Sequence, residues 1–269
     1  MLFGFVIGPT DPGALRAQAR WAQAQGFNVL FLDDEPGAPR GLDPLESAAY
    51  AGAVTETIGL VATAAATHAE PFHLSNRFSA LDWGTRGRAG WLVTVDPSAS
   101  RASAYSASVP ASGPAARREA DAVVDAARRL WDSWEDGALI ADSTTGRFLD
   151  RDRLHYVDAG GELFRIRGPA LMPRPPQGQV PVFARDPLVE ADVRVVRTPQ
   201  PGAFVELEPS SDLPGPGVGG VLLRPAPGLE ARLAELRASG TLVPPRPGRT
   251  LRDQLGLLRP AGRYTEARS

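Results

Sequence analysis

Two groups of side chains in this sequence lie where they could act on a ligand, one by exchanging a proton and the other by accepting hydrogen bonds. His68 follows the apolar run Ile58 to Ala66, and an imidazole there could exchange a proton with a bound substrate. The acidic triplet Asp33 to Glu35 follows the apolar run Phe27 to Leu32, and a carboxylate at a strand end can accept hydrogen bonds from a ligand. Two simpler interpretations stay open: His68 as a half-exposed loop residue, and the triplet as a solvated turn.

The composition excludes several other kinds of chemistry. The chain has no cysteine, so it can form no disulfide, thiol nucleophile or thiolate metal site. All 29 basic residues are arginine, which excludes a lysine Schiff base and a lysine-containing phosphate loop. His68 and His73 are five residues apart with no third ligand in view, so no metal site is predicted. The net charge of -2 gives no argument for nucleic acid or a membrane surface as partner.

The first half of the chain alternates short apolar runs with helical patterns. Such alternation predicts a parallel α/β sheet, because each helix carries the chain back to start the next strand. Proline after aspartate predicts two of the helix starts, at Pro12 and Pro44. The expected strands are Leu2 to Ile7, Phe27 to Leu32, Ile58 to Ala66 and Gly90 to Val95, and the expected helices begin near Pro12, Pro44, Phe72 (ending near Leu81) and Ala115 (ending near Trp134).

The second half predicts strands with few helices between them. The connection from Ala184 to Val193 is too short for a full helical crossover, which needs roughly 10–12 residues. Residues 96 to 113, rich in Ser, Ala and Pro, predict a mobile loop. The expected elements are a β-hairpin of Leu154 to Asp158 and Glu162 to Ile166 about a Gly-rich turn, strands Val180 to Ala184, Val193 to Val196, Phe204 to Leu207 and Val218 to Leu223, and a helix Leu229 to Leu236.

One motif contains residues that an amphipathic helix alone does not require. The run Asp125 to Glu135 contains Leu-Trp-Asp-Ser-Trp-Glu, and Thr145 to Phe148 follow as Thr-Gly-Arg-Phe. The simple interpretation is a surface helix with two half-buried tryptophans. The run also resembles the "LWDSWE…TG.F" stretch of the flavin-dependent monooxygenases related to nitrilotriacetate and dibenzothiophene-sulfone monooxygenases, in the luciferase-like superfamily.

Further blocks carry the same resemblance. Phe27 to Asp34 is similar to the family's "FDAVFLAD", and Leu81 to Trp91 to "LDHLSGGRAGW". Thr250 to Leu257 is similar to the family's "TLRExLGL" near the other end of the chain. The resemblance therefore brackets nearly all 269 residues, and it implies one domain, residues 1–269.

The resemblance implies a flavin site at the strand ends. Asp34 matches the family's flavin-binding aspartate, Thr63 would approach the flavin ring, and Thr94 and His68 would line the flavin side, with His68 as the catalytic candidate. Several family positions have changed: the asparagine that hydrogen-bonds the isoalloxazine is Leu92. The phosphate-binding glycine, serine and tyrosine are missing, and Ala65 and Ala66 replace a Ser-Thr pair.

The expected fold is a luciferase-like (β/α)8 TIM barrel with reduced helices in its second half and a β-hairpin insertion. By resemblance the activity is oxygenation of a small organic substrate with oxygen and reduced FMN, which a separate flavin reductase supplies. The alternative is a non-catalytic paralogue or accessory subunit that has lost FMN. A cytoplasmic location is expected, because no basic leader and no run of about 18 apolar residues is present. A homo-oligomer is compatible with the sequence.

Overall fold

The fold is a closed barrel of eight parallel strands. The structure is a computed structural model that describes residues 1–34, 41–67, 70–95, 113–160, 164–185 and 190–264. Around the barrel the strand order is β1, β10, β9, β8, β7, β4, β3, β2, so the predicted barrel is confirmed. These strands are β1 (Leu2–Ile7), β2 (Val29–Leu32), β3 (Gly59–Ala65), β4 (Ala89–Thr94), β7 (Val182–Arg185), β8 (Val193–Val196), β9 (Phe204–Leu207) and β10 (Gly220–Leu223).

Helices cover the first half of the barrel. At the start of α1 the Asp11 carboxylate accepts hydrogen bonds from two backbone amides, and Gly26 ends the helix in the left-handed conformation. Asp43 and Glu70 cap the next two helices in the same way, each before a proline at the first helical position. The helices are α1 (Pro12–Gln25), α2 (Pro44–Val54), α3 (Pro71–Gly84), α4 (Pro114–Asp132), α5 (Leu229–Ala238) and α6 (Leu251–Gln254).

The second half of the barrel is reduced, as the short connections predict. No helix occurs in the described stretches 190–192, 197–203 and 208–219 that join the last four strands. A two-stranded antiparallel hairpin of β5 (Val157–Gly160) and β6 (Arg165–Gly168) precedes β7. The hairpin confirms the predicted insertion, although both strands begin about three residues later than expected. The predicted mobile loop is residues 96 to 113, and all of these except Gly113 lie outside the described residues.

Several other element bounds differ from expectation by a few residues. Helix α3 extends to Gly84 and not only to Leu81, because Glu70 caps its start and the backbone N–H of Thr85 bonds back to Leu81 at its end. Strand β10 begins at Gly220, two residues after the expected Val218. Apolar runs do not mark ends sharply, since the hydrogen bonds of neighbouring strands decide where pairing stops.

The inside of the barrel is filled by apolar side chains. Phe31, Phe183 and Phe204 come from strands that are not neighbours, and their ring centroids lie 5.4 to 6.1 Å apart across the interior. Leu92 and Leu222 belong to the same buried cluster. The barrel is therefore a packed core in this layer, as in other barrels of eight parallel strands.

The helix α6 closes the amino-terminal end of the barrel. Leu251 is fully buried and packs into the interior cluster. The neighbouring Arg252 N–H donates to Gln177 Oε1 at 2.7 Å, while Gln177 Nε2 donates to Asp82 Oδ1 at 2.6 Å. Asp82 lies on α3 and is completely buried. These hydrogen bonds connect α6 to α3 in the first half of the fold. Each of them also pairs polar groups that would otherwise be buried without a partner.

Asp82 should make stability depend on pH. Burial raises its pKa from 3.8 to about 7, against the lowering effect of the Gln177 hydrogen bonds. The folded pKa lies above the unfolded one, so the stabilising contribution is complete below pH 4 and is lost as pH rises through about 7. We expect Asp82→Asn to flatten the unfolding free energy between pH 4.5 and 8 in urea titrations. Parallel curves for the variant and the parent would contradict this assignment.

No helix among the described residues is long and apolar enough to cross a membrane.

Candidate functional site

The alternation of strand residues places polar side chains at the carboxyl end of the barrel. Side chains two residues beyond an inward-facing one face inward again. Asp33 therefore follows Phe31, Arg185 follows Phe183 and Arg224 follows Leu222. We call this inner layer the mouth of the barrel, and it comprises Asp33, Thr63, Thr94, Arg185, Glu206 and Arg224.

Asp33 is the centre of the mouth. Arg185 Nη2 donates to Asp33 Oδ2 at 2.6 Å, and Arg224 Nη2 donates to the same oxygen at 3.1 Å. The Thr63 hydroxyl donates to Asp33 Oδ1 at 3.0 Å. Arg185 also contacts Glu206 Oε1 at 3.3 Å. The carboxylate thus joins strands β2, β3, β7 and β10 across the barrel in one hydrogen-bonded group.

The surroundings of Asp33 keep it ionised. Burial alone raises its pKa, but the hydrogen bond and charge of Arg185, with contributions from Thr63 and Arg224, outweigh burial and lower the pKa below 3.8. In turn, the pKa of Arg185 is raised: burial opposes this, and Asp33 and Glu206 overcome it. Both partners therefore stay charged across the physiological range, and neither is suited to exchange protons near neutral pH.

A cavity of about 480 Å³ opens above this group. Active sites of such barrels lie at this end, and the volume falls within the range of small-molecule sites. The walls are mostly polar. They are formed by Asp33, Asp34, Arg185, Val195, Val196, Arg197, Thr198, Gln200, Glu206 and Arg224.

The structure brings some of the predicted site residues together. Asp34 lines the cavity and Thr63 bonds to Asp33 beneath it. Thr94 lies at an inward position at the end of β4, where β4 pairs with the end of β3. His68 lies outside the described residues. That Asp34, Thr63 and Thr94 hold a flavin, and that His68 is catalytic, stay predictions. No group of three or more acidic or histidine side chains that could hold a metal occurs among the described residues.

Sequence reasoning missed the charged residues at the centre of the mouth. It selected Asp34, whereas the side chain that contacts the opposite strands is Asp33. Arg185, Glu206 and Arg224 were not singled out either. The sequence did contain a signal for these charged residues: every one of them stands two residues after a buried phenylalanine or leucine of a strand, and so faces the same side.

The described part of the mouth does not fit the flavin that the family resemblance implies. Leu92, at the position of the flavin-binding asparagine, is fully buried in the apolar interior and offers no hydrogen bond. Asp33 already accepts hydrogen bonds from the Thr63 hydroxyl and from Arg185 and Arg224. A flavin in the cavity above would therefore meet polar groups that are already paired, and breaking those pairs would leave charges without partners.

Leu92→Asn tests whether that position still faces an open site. In a dry interior the amide would lack partners, so we expect a loss of about 1–3 kcal/mol in unfolding free energy. We also expect no gain in FMN binding. Leu258→Asn is the control, because Leu258 is 89% exposed and should cost nothing measurable. Tighter FMN binding by Leu92→Asn would instead show that the pocket is open.

Solved structures share this fold. The riboflavin lyase RcaE superposes with a TM-score of 0.80 at 18% identity, covering 98% of this chain and 97% of the other. At that identity the likeness shows the fold alone.

Several curated relatives match part of the chain. Dibenzothiophene-sulfone monooxygenase of Rhodococcus erythropolis is 37% identical over 179 residues, and nitrilotriacetate monooxygenase component A of Aminobacter aminovorans is 37% identical over 139 residues. These matches cover 60% and 52% of this chain. The chain spans only 40% and 31% of the length of those two relatives.

Another relative matches almost end to end. One of the subunits of pristinamycin IIA synthase of Streptomyces pristinaespiralis is 30% identical over 273 residues, which is 94% of this chain and 91% of the relative. The model of the luciferase-like monooxygenase family matches residues 4–185, more than half of the chain. The predicted resemblance is confirmed, and the chain belongs to the luciferase-like monooxygenase family.

Proposed function

We propose that this chain is a non-catalytic subunit of a two-subunit flavin-dependent monooxygenase. The observation that carries the proposal is the hydrogen-bonded group around Asp33, whose polar side chains are paired with one another at the end of the barrel where a flavin would bind. A barrel can keep its fold while its site changes, because function depends on the site and not on the architecture. The fully buried Leu92 supports the same conclusion.

The near full-length relative supports a subunit role. Its name describes it as one subunit of a synthase, and the match covers 91% of its length. By contrast, the chain spans 40% or less of the relatives named as dibenzothiophene-sulfone and nitrilotriacetate monooxygenases. The partner would be a luciferase-like chain that binds reduced FMN and a small organic substrate, with a separate flavin reductase supplying the FMN. We place this assembly in the cytoplasm.

A second function keeps the flavin in this chain. Its support is that Thr63 and Thr94 occupy inward positions at neighbouring strand ends, and that the cavity of about 480 Å³ is large enough for a small molecule. Asp34 would then anchor the flavin and His68 would exchange a proton during oxygenation. The isolated chain would need reduced FMN to act on its substrate.

Flavin titration of the purified chain separates the two functions. We expect FMN to bind with a dissociation constant on the order of tens of micromolar or weaker, because each missing hydrogen bond costs roughly 0.5–1.5 kcal/mol and 1.4 kcal/mol is tenfold in affinity. Quenching of flavin fluorescence measures the constant. Sub-micromolar binding would overturn the non-catalytic assignment.

The subunit role itself needs a second measurement. The chain is co-expressed with each flavin-binding luciferase-like chain of its source organism, and complexes are isolated by size exclusion. We expect one such pair to form a stable complex with more oxygenation activity than either chain alone in the presence of reduced FMN. Equal activity of the flavin-binding chain with and without this one would contradict the role.

A further inference from the structure

One wall of the mouth cavity consists of hydrogen-bond donors. The connection from β8 to β9 contributes Arg197, Thr198 and Gln200, all exposed and all lining the cavity. Within the described residues none of these three side chains makes a hydrogen bond or ion pair with the protein. Gln200 uses only its backbone carbonyl, which accepts from the Ala203 N–H. The side-chain donors are therefore available to a molecule in the cavity.

Among the described residues, the charged groups beneath this wall pair with one another. Asp33 and Glu206 face Arg185 and Arg224, so two carboxylates meet two guanidinium groups. Arg185 directs its donors to Asp33 and Glu206, which fixes it in place. Arg197 adds a positive charge on the β8 side of the cavity, while Asp34 adds a negative one at the end of β2. The charge that is available to a ligand on the β8 side is therefore that of Arg197.

We propose that this cavity binds a small molecule carrying an anionic oxygen group, a carboxylate or a phosphate, with Arg197 as its main anchor. A guanidinium offers two parallel N–H donors that match the oxygens of such a group. Thr198 and Gln200 stand one and three residues further along the same connection and supply neutral donors. Asp33 does not take part directly: it holds Arg185 and Arg224 at the floor of the cavity.

The inference goes beyond the proposed function, since it requires neither a flavin nor a partner chain. It also explains why the cavity stays polar and open although the layer beneath it is packed. A barrel that had merely lost its ligand could close this space with apolar side chains, which bury favourably.

Calorimetric titration of the full chain with succinate, citrate and inorganic phosphate tests the site. Ionic strength is held constant with sodium chloride, because guanidinium–anion contacts weaken with salt. We expect at least one of the three to bind with a dissociation constant below about 1 mM, the range of weak specific sites. Which anions bind identifies the group that the cavity recognises: binding of succinate or citrate indicates a carboxylate, and binding of inorganic phosphate indicates a phosphate.

Arg197→Gln is the decisive variant. It should raise the dissociation constant of the anion at least tenfold. It should leave the melting temperature unchanged, because Arg197 is exposed. Arg246→Gln is the matched control: Arg246 is also exposed but lines a cavity with Met1 and Leu2 at the opposite end of the barrel. Absence of binding by all three anions, or equal weakening in both variants, would overturn the proposal. The FMN titration reports on the proposed function independently.

Discussion

Asp132→Ala is expected to lower the unfolding free energy by about 3–5 kcal/mol, the usual cost of breaking a buried ion pair from one side. Asp132 is at the end of α4, and its side chain is completely buried. Arg174 donates to Asp132 Oδ1 from Nε at 3.1 Å and from Nη2 at 3.0 Å. The Arg174 side chain is only 3% exposed, so water cannot replace the lost carboxylate.

The loss comes from the buried Arg174, which loses its buried carboxylate and retains the exposed Asp136 carboxylate and the Pro260 carbonyl, and not from the strength of the pair itself. Burial raises the pKa of Asp132 even though Arg174 and Gln179 lower it, which means that burying this carboxylate costs more than its partners return. Removing both members should therefore cost less than the sum of the single losses. We expect Asp132→Ala combined with Arg174→Met to recover part of the stability.

Chemical denaturation by urea, followed by tryptophan fluorescence, measures these differences. Asp125→Ala is the control on the same helix, since its pairs with Arg129 and Arg263 are about 44% exposed. Exposed pairs contribute roughly 0–1 kcal/mol, so the control should stay within that range. Similar losses for Asp132→Ala and Asp125→Ala would show that the buried pair has no special role.

The tryptophans beside Asp132 show what the sequence motif does. Their interpretation as half-buried side chains of a surface helix is wrong: Trp131 is 1% and Trp134 is 7% exposed. The indole of Trp131 donates to the Ser75 carbonyl on α3, and that of Trp134 donates to the Ala170 carbonyl. The motif therefore joins α4, α3 and the segment after the hairpin.

The barrel could be predicted because its signals are local. Apolar runs, aspartate followed by proline, and glycine at Gly26 act within a few residues, and they located the first four strands and their helices. The reduced second half was predicted from connection length. The hairpin strands were predicted about three residues too early. Their register depends on which residues meet across the two strands, and the apolar run Leu154 to Asp158 does not specify this.

The mouth could not be predicted in the same way. Asp33 meets Arg185 and Arg224 from 152 and 191 residues away, so no local window contains the interaction. The resemblance pointed to the neighbouring Asp34, which lines the cavity, and its role in flavin binding stays a prediction. Closure of the barrel is what brings these charges together, and only the register of all eight strands decides which of them meet.

Asp33→Asn is the corresponding test of the mouth. We expect a loss of about 2–3 kcal/mol in unfolding free energy, below that for Asp132→Ala, because Arg185 and Arg224 are 33% and 39% exposed and water can partly solvate them. Asp212→Asn is the control for the same change at an exposed position and should cost less than about 0.5 kcal/mol.

The pH dependence distinguishes an ion pair from simple packing. The folded pKa of Asp33 lies below the unfolded value of 3.8, so its stabilisation is present above that value and is lost as pH falls through the folded pKa. The difference between the parent and Asp33→Asn should therefore be constant from about pH 5 to 8 and shrink below pH 4. A difference that stays the same down to pH 2.5 would mean that the charge of Asp33 contributes nothing. In that case the hydrogen-bonded group would no longer support the proposal that this chain does not bind a flavin.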